Sequence, residues 1–232
     1  MNIKESIKNL SVFEWGLWGV SVIMIIASAV VSGRPDWLSV IGSLIGVTAL
    51  IFVAKGDVLG QILTIVFSIF YGIVSISFQY YGEMITYMFM TAPIALLSVV
   101  SWIRHPYKGK QTEVEVHHLS VKEGVIIAVL SIIVTGIFFF VLRALGNNNL
   151  VFSTISITTS FFASALMFRR SPYYALAYGA NDIVLIVLWV MASIEDKSYI
   201  PMIVCFSMFL LNDLYGFFNW SRMKKRQQVE TT

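Results

Sequence analysis

Apolar residues along this chain alternate with polar ones neither at every second nor at every third or fourth position; they come in nearly unbroken runs of 18 to 22 residues. Eight such runs occupy residues 12–31, 37–54, 58–79, 84–103, 124–144, 150–168, 173–193 and 199–220. A helix rising 1.5 Å per residue needs about 20 residues to cross a hydrocarbon layer about 30 Å thick, so each run predicts one transmembrane helix. Within lipid every backbone amide must bond inside its own segment or inside a closed barrel, and barrel strands alternate in polarity as these runs do not. Composition agrees: 57% of the 232 residues are hydrophobic and 12% charged, against about 25% charged in soluble domains. The expected fold class is an all-α integral membrane protein of about eight transmembrane helices.

Sorting Lys and Arg by alternate sides of these runs places Lys4, Lys8, Lys55, Arg104, Lys108, Lys110, Lys122, Arg169, Arg170, Arg222, Lys224, Lys225 and Arg226 together, and only Arg34, Arg143 and Lys197 opposite. The excess of positive charge marks the cytoplasmic side, which puts both termini in the cytoplasm. Adding or dropping one span would scramble the sorting, so the bias supports the count of eight. Lys4 and Lys8 ahead of an apolar stretch ending in Ala27-Ser28-Ala29 also fit a secretory signal, but the run is longer than a signal's core.

The chain also resembles itself. The run ending in Ser101-Trp102-Ile103-Arg104 has a counterpart ending in Asn219-Trp220-Ser221-Arg222, and Ala49-Leu50-Ile51-Phe52 has one in Ala165-Leu166-Met167-Phe168; the offsets are 118 and 116 residues. Two parallel repeats of three helices follow, with the span at 124–144 restoring the starting side between them. The expected organisation is an N-terminal tail and extra helix over 1–36, a first bundle over 37–104, a cytoplasmic loop and linker helix over 105–149, a second bundle over 150–222 and a cytoplasmic tail over 223–232. The polar stretch from Arg104 to Lys122 reads as a solvated linker.

Polar residues inside the runs supply the candidate chemistry. Gln61, Thr64, Ser68, Tyr71, Ser75 and Gln79 recur at three or four residues, as do Glu83, Tyr87, Thr91, Ser98 and Trp102, and Ser153, Ser156, Ser160 and Ser164. Such stripes occupy one helix face and serve either close interhelical packing or the lining of a polar path. Asn181-Asp182 and Asn212-Asp213 stand in the middle of otherwise apolar spans. Asn181 lies nine residues past Pro172, a depth of roughly 13 Å at 1.5 Å per residue. Asn212 is as far from Ser221. A carboxylate at that depth is costly and marks a functional site facing the bundle interior; the alternative is a polar pair that locks two helices together. The nearby aromatics Tyr174, Tyr178, Tyr215, Trp189 and Trp220 divide between a wall for a flat ligand and an interfacial belt, with Trp189 and Trp220 placed in the belt by their positions near helix ends. The expected substrate contacts are Tyr178, Asn181, Asp182, Asn212, Asp213, Tyr215, Gln61, Ser68, Tyr87 and Thr91, with Asn181 and Asn212 facing one cavity.

Several classes of function find no support in the residues. The net charge of +3 resides in loops and at the C-terminus, where it sets topology and offers no nucleic-acid footprint. Cys205 is the single cysteine, which excludes an intrachain disulfide. His105, His117 and His118 are the only histidines and make no metal-ligand set with it. No nucleophile and base pair, zinc-ligand pattern or P-loop appears, so neither an enzyme nor a cofactor is expected. No Lys or Arg lies deep in a predicted span, which favours a neutral or cationic small molecule over a phosphorylated one.

At these residues the chain resembles the PnuC family of bacterial vitamin transporters over about residues 37–226. The three-plus-one-plus-three layout, the aromatic approach to Asn181-Asp182 and the ending Gly216-x-x-x-Trp220-x-Arg222 carry the resemblance. It implies a fold similar to the SWEET sugar transporters, uptake of nicotinamide riboside by facilitated diffusion in the bacterial plasma membrane, and trapping by a cytoplasmic kinase. Relatives of the family carry thiamine or riboflavin. Tyr173 and Tyr174 stand where many members have tryptophan, which leaves the substrate open among these vitamins. A proton-coupled vitamin symporter and a non-transporting vitamin-binding membrane subunit are the rival readings, and self-association into a homo-oligomer is left open.

Overall fold

The computed structural model describes residues 3–33, 37–77, 80–147 and 149–230; Arg34 of the topology argument and Gln79 of the polar stripe lie outside them. Among the described residues eight helices are long and apolar enough to cross a membrane, and the chain is a multi-pass membrane protein. A short helix α1 (Ile3–Lys8) precedes α2 (Val12–Val31), α3 (Trp37–Lys55) and α4 (Val58–Ser77). The fourth span is composite, made of α5 (Tyr81–Ile85), a π-helical stretch (Thr86–Thr91) and α6 (Ala92–Arg104). A hairpin of β1 (Pro106–Tyr107) and β2 (Lys110–Val114) leads to α7 (Val121–Ala144), α8 (Leu150–Phe168), α9 (Tyr174–Glu195), a 3₁₀ turn (Lys197–Tyr199) and α10 (Ile200–Val229).

Local chemistry explains the boundaries. Both α2 and α7 begin with a capping box, Ser11 with Glu14 and Ser120 with Glu123, each Ser hydroxyl accepting from the Glu backbone N–H while the carboxylate accepts from the Ser N–H. These pairings satisfy donors that a helix N-terminus leaves without partners. The π-helical stretch was not expected from the apolar run. The Ala92 N–H reaches back five residues to Tyr87 O, immediately before Pro93, which has no N–H to continue the ordinary ladder. Gly72 on α4 leaves the space that this bulge fills, since a Cβ there would stand 2.2 Å from Met88 Cγ.

Six of the spans close into a ring. α3 packs on α4, α4 on α6, α6 on α8, α8 on α9, α9 on α10 and α10 back on α3. α2 lies outside the ring against α3 and α10, and α7 lies outside it against α8. The tie of α2 to the ring is polar: Tyr215 Oη donates to Glu14 Oε1 at 2.6 Å, and Lys55 Nζ stands 3.4 Å from Glu14 Oε2. Among the described glycines of the ring, backbone approaches closest at Gly60, where a Cβ would meet Val53 N at 2.4 Å.

The stretch from Arg104 to Lys122 is folded against the protein at the end of the bundle that bears Lys55, Arg104, Arg169 and Arg222, called here the basic end. Val114 and Val116 are buried. The Val114 N–H donates to Gly56 O at 2.9 Å and the His117 N–H to Arg170 O at 3.1 Å, so this strap joins the α3–α4 corner to the α8–α9 corner. The alternation Glu113-Val114-Glu115-Val116-His117 is a period-two signature of a half-buried extended strand, which explains why the segment packs instead of remaining solvated. α10 also runs past its apolar part to Val229 because Met223 to Gln228 are good helix formers without Gly or Pro. Its tail is held by the strap: Gln227 Oε1 accepts from Val116 N at 2.8 Å and Arg226 pairs with Glu113.

Candidate functional site

The ring surrounds a cavity that runs from mid-span toward the basic end. Every ring helix contributes to its wall: Gly46 and Val53 from α3, Gln61 and Phe67 from α4, Tyr87 and Thr91 from the π-helical stretch and Ser98 from α6, then Ser164 from α8, Tyr178 and Asp182 from α9, and Phe209 and Asp213 from α10. Its volume is about 50 Å³, so the walls must part before a molecule of nucleoside size enters.

Both polar stripes of the first triplet turn inward here because residues three or four apart share a helix face. The cavity is consequently aromatic on its flanks and acidic on one wall. Tyr178 Oη and Ser164 Oγ lie 2.8 Å apart. The Asp182 and Asp213 carboxyl groups meet one another across the α9–α10 contact. Two polar atoms of the lining, Gln61 Nε2 and Asp182 Oδ2, are buried and have no hydrogen-bond partner among the described residues. A buried donor or acceptor left open costs about 1 to 3 kcal/mol, so such atoms point to something that the cavity receives.

Of the ten residues expected at a site, Gln61, Tyr87, Thr91, Tyr178, Asp182 and Asp213 line the cavity. The other four are placed elsewhere. Asn181 turns toward α8, where its Oδ1 accepts from Ser156 Oγ at 3.2 Å and from Thr159 Oγ1 at 2.8 Å. Asn212 turns toward α2 and donates to Ser21 Oγ at 3.2 Å and to Met208 O at 2.7 Å. Tyr215 bonds Glu14 on α2, and Ser68 is buried outside the lining. Neighbours in sequence diverge because adjacent residues on a helix point about 100° apart, which sends each Asp inward and each Asn sideways.

Aromatic clusters pack within the bundle on either side of these cavity residues. On the side away from the basic end, Tyr71 and Tyr87 rings lie 4.4 Å apart, Phe206 is 5.4 Å from Tyr71, and Trp189 Nε1 donates to Tyr71 Oη at 3.1 Å. At the basic end the Trp102 and Trp220 rings are 5.4 Å apart with Tyr174 beside Trp220 at 5.0 Å. Trp220 Nε1 donates to Val53 O at 2.9 Å and Trp102 Nε1 to Met167 O at 3.4 Å, each across to the opposite triplet. Trp189 and Trp220 are therefore not belt residues, being fully buried with their indole N–H groups satisfied inside the protein. Sequence reasoning also missed Phe67, Phe209 and Gly46 as wall residues. A Cβ at Gly46 would stand 2.3 Å from Phe209 Cζ, so the glycine is what lets this ring reach the α3 backbone.

Comparison with known proteins bears on this arrangement. Residues 36–222 match the protein family described as nicotinamide mononucleotide transporter. The nicotinamide riboside transporter PnuC of Neisseria mucosa is 24% identical over 214 residues, covering 90% of this chain and 81% of that protein. The nicotinamide riboside transporter PnuC of Haemophilus influenzae is 26% identical over 194 residues, covering 83% of each. A crystal structure of the vitamin B3 transporter PnuC superposes with a TM-score of 0.80 at 25% identity over 94% of both chains. With the family match running through all six ring helices and the fold shared over nearly the whole length, the chain belongs to the PnuC family of membrane transporters.

Proposed function

We propose that this protein carries nicotinamide riboside across the bacterial plasma membrane by facilitated diffusion with alternating access, and that a cytoplasmic kinase then traps the substrate by phosphorylation. The observation that carries the reading is the pair of open polar atoms, Gln61 Nε2 and Asp182 Oδ2, in an aromatic, acidic cavity shared by both triplets. The pyridinium ring of the riboside is flat and cationic, which suits the Tyr87 and Tyr178 faces and the Asp182 and Asp213 charge. Its ribose offers hydroxyls to Gln61, Thr91 and Ser98. The family description names a mononucleotide and the relatives' names a riboside. Among the described residues the cavity wall holds two carboxylates and no Lys or Arg, so a phosphate would be desolvated without a counter-charge. The riboside is the better fit. Screening the purified protein with nicotinamide riboside, its mononucleotide, thiamine and riboflavin tests this: the riboside alone should stabilise, by about 2.7 kcal/mol at 100 times its Kd. Stabilisation by another of the four in its place would transfer the assignment to that ligand.

The two triplets are read as parallel repeats that rock against one another. Their contacts support this, since α3–α4–α6 and α8–α9–α10 follow the same order round the ring, and Trp102 and Trp220 make reciprocal bonds across it. The Asp182–Asp213 contact favours proton-coupled symport as the second reading, because adjacent carboxyl groups form a relay. Collapsing the proton gradient in loaded vesicles separates the two, as a passive carrier keeps equilibrating substrate.

The basic end is assigned to the cytoplasm. Lys108, exposed in the strap, supplies the check: in a Cys205→Ser background, Lys108→Cys should resist an impermeant thiol reagent in intact cells and react in inverted vesicles. Labelling in intact cells would invert the topology. Asn181 gives a second expected result. Because it ties α9 to α8, Asn181→Leu should cost about 1 kcal/mol of stability while leaving riboside affinity nearly unchanged. A variant with unaltered melting and lost affinity would place Asn181 in contact with the substrate.

A further inference from the structure

A second recess opens at the basic end, outside the ring cavity, between the end of α6 and the α8–α9 corner. Its volume is about 380 Å³, against about 50 Å³ for the central cavity. Five of its nine lining residues are basic: Arg104 and His105 from α6, Arg169 and Arg170 from the corner, and His117 from the strap. Among the described residues no Asp or Glu lines it. Glu123 pairs with Arg169 and His117 from the start of α7, and the Glu115 carboxylate acts on Arg170 and His117 from the strap. Three arginines against these two carboxylates leave the recess with a net positive charge. Burial, followed by the Arg169 and Arg170 charges, holds the His117 imidazole below its ordinary range.

The guanidinium groups are only partly engaged. Arg169 Nε and Arg170 Nε are buried and without hydrogen-bond partners among the described residues, although each is a donor shaped to meet an oxyanion. Arg170 Nη1 donates to Ser101 Oγ at 3.2 Å. Its backbone takes the left-handed conformation, φ 55°, which the α3–α4 corner gives to Gly56 at φ 73°. The floor of the recess has the opposite character. Leu97, Val100 and Phe168 line it, and Leu97 and Val100 are 55% and 42% exposed on the membrane-spanning part of the fourth span. A ligand that satisfies both parts carries an oxyanion at the membrane interface and an apolar chain running down into the lipid.

We propose that this recess binds the phosphate headgroup of an anionic phospholipid, with an acyl chain along Leu97, Val100 and Phe168. Basic pockets between membrane helices are suited to such headgroups, and the arginine fork binds phosphate oxygens in pairs. Because α6 belongs to one triplet and the α8–α9 corner to the other, the bound lipid would clasp the triplets together at the basic end. The proposal does not depend on which vitamin is transported.

Thermal unfolding of the purified full chain in detergent tests it with three additives at equal concentration: short-chain phosphatidylglycerol, short-chain phosphatidylcholine and inorganic phosphate. Phosphatidylglycerol alone should raise the melting temperature. Arg104→Gln, a change at an exposed helix end, should weaken the apparent affinity for it about tenfold. Arg104→Gln with Arg170→Gln should abolish the response, and its melting in phosphatidylcholine separates lost folding from lost binding; if the double variant does not fold, the single one decides. Lys224→Gln with Lys225→Gln, which touches no lining residue, should respond as the parent does. An equal response to phosphatidylcholine, or an undiminished one in Arg104→Gln, overturns the site. Inorganic phosphate matching the lipid would make it a site for soluble anions, and loss of response in the Lys224 and Lys225 variant would reduce it to general surface attraction.

Discussion

Asparagine at position 213 should weaken nicotinamide riboside binding roughly ten- to 100-fold with little change in fold. Asp213 is 3% exposed and lines the cavity beside Asp182, so negative charge shared by this carboxyl pair acts where water does not screen it. Asparagine has nearly the same shape and removes one ionisable carboxyl group from the pair. An interaction with a charged partner is worth about 1.5 to 3 kcal/mol, and 1.4 kcal/mol is a factor of ten in affinity. Calorimetric titration of the purified variant measures the change. The cause is separable from a packing effect, because the dihydropyridine form of the riboside has no pyridinium charge and should lose little between parent and variant. If both ligands weaken equally, or if melting falls while riboside affinity stays, Asp213 ties α9 to α10 and does not meet the substrate's charge.

A leucine at Gly60 should be the most damaging single change outside the cavity, costing about 3 kcal/mol or more and leaving little inserted, monodisperse protein. A Cβ there would lie 2.4 Å from Val53 N and 2.8 Å from Phe52 C, and both are backbone atoms that cannot rotate away. Neither can α4 slide to make room. The Gly60 N–H donates to Asp57 O at 2.9 Å, and the Leu59 N–H to Asp57 Oδ1 at 2.9 Å, which fixes the helix start against the α3–α4 corner. Small residues at such crossings let backbones touch, and membrane helices depend on that packing because lipid offers no hydrophobic drive between them. Gly19 on α2 is the control. A Cβ there meets nothing within 4 Å, so Gly19→Ala should be neutral or stabilise by up to about 1 kcal/mol through helix propensity. A Gly60→Leu variant that melts with the parent would show that the two helices can separate without loss.

The eight spans, the basic bias and the family resemblance were legible in the residues because lipid imposes a simple rule: runs of about 20 apolar residues are helices. The site was legible in part. Six of the expected residues line the cavity, since a polar residue deep in a span must face the interior. The paired motifs misled in one respect, as Asn181 and Asn212 share the depth of Asp182 and Asp213 but face α8 and α2.

Run length and charge, which act one residue at a time against lipid and water, are what the sequence determines by itself: the number of spans, their order and the interior placement of the carboxylates. Rotation and contact depend on several helices at once, and only the tertiary structure decides them. It sets Asp182 against Asp213, brings Phe67 and Phe209 to Gly46, seats Trp189 on Tyr71 and Trp220 on Val53, and folds the strap across both corners. Each of these joins residues more than 20 positions apart, and no local pattern encodes which face of one helix will meet which face of another.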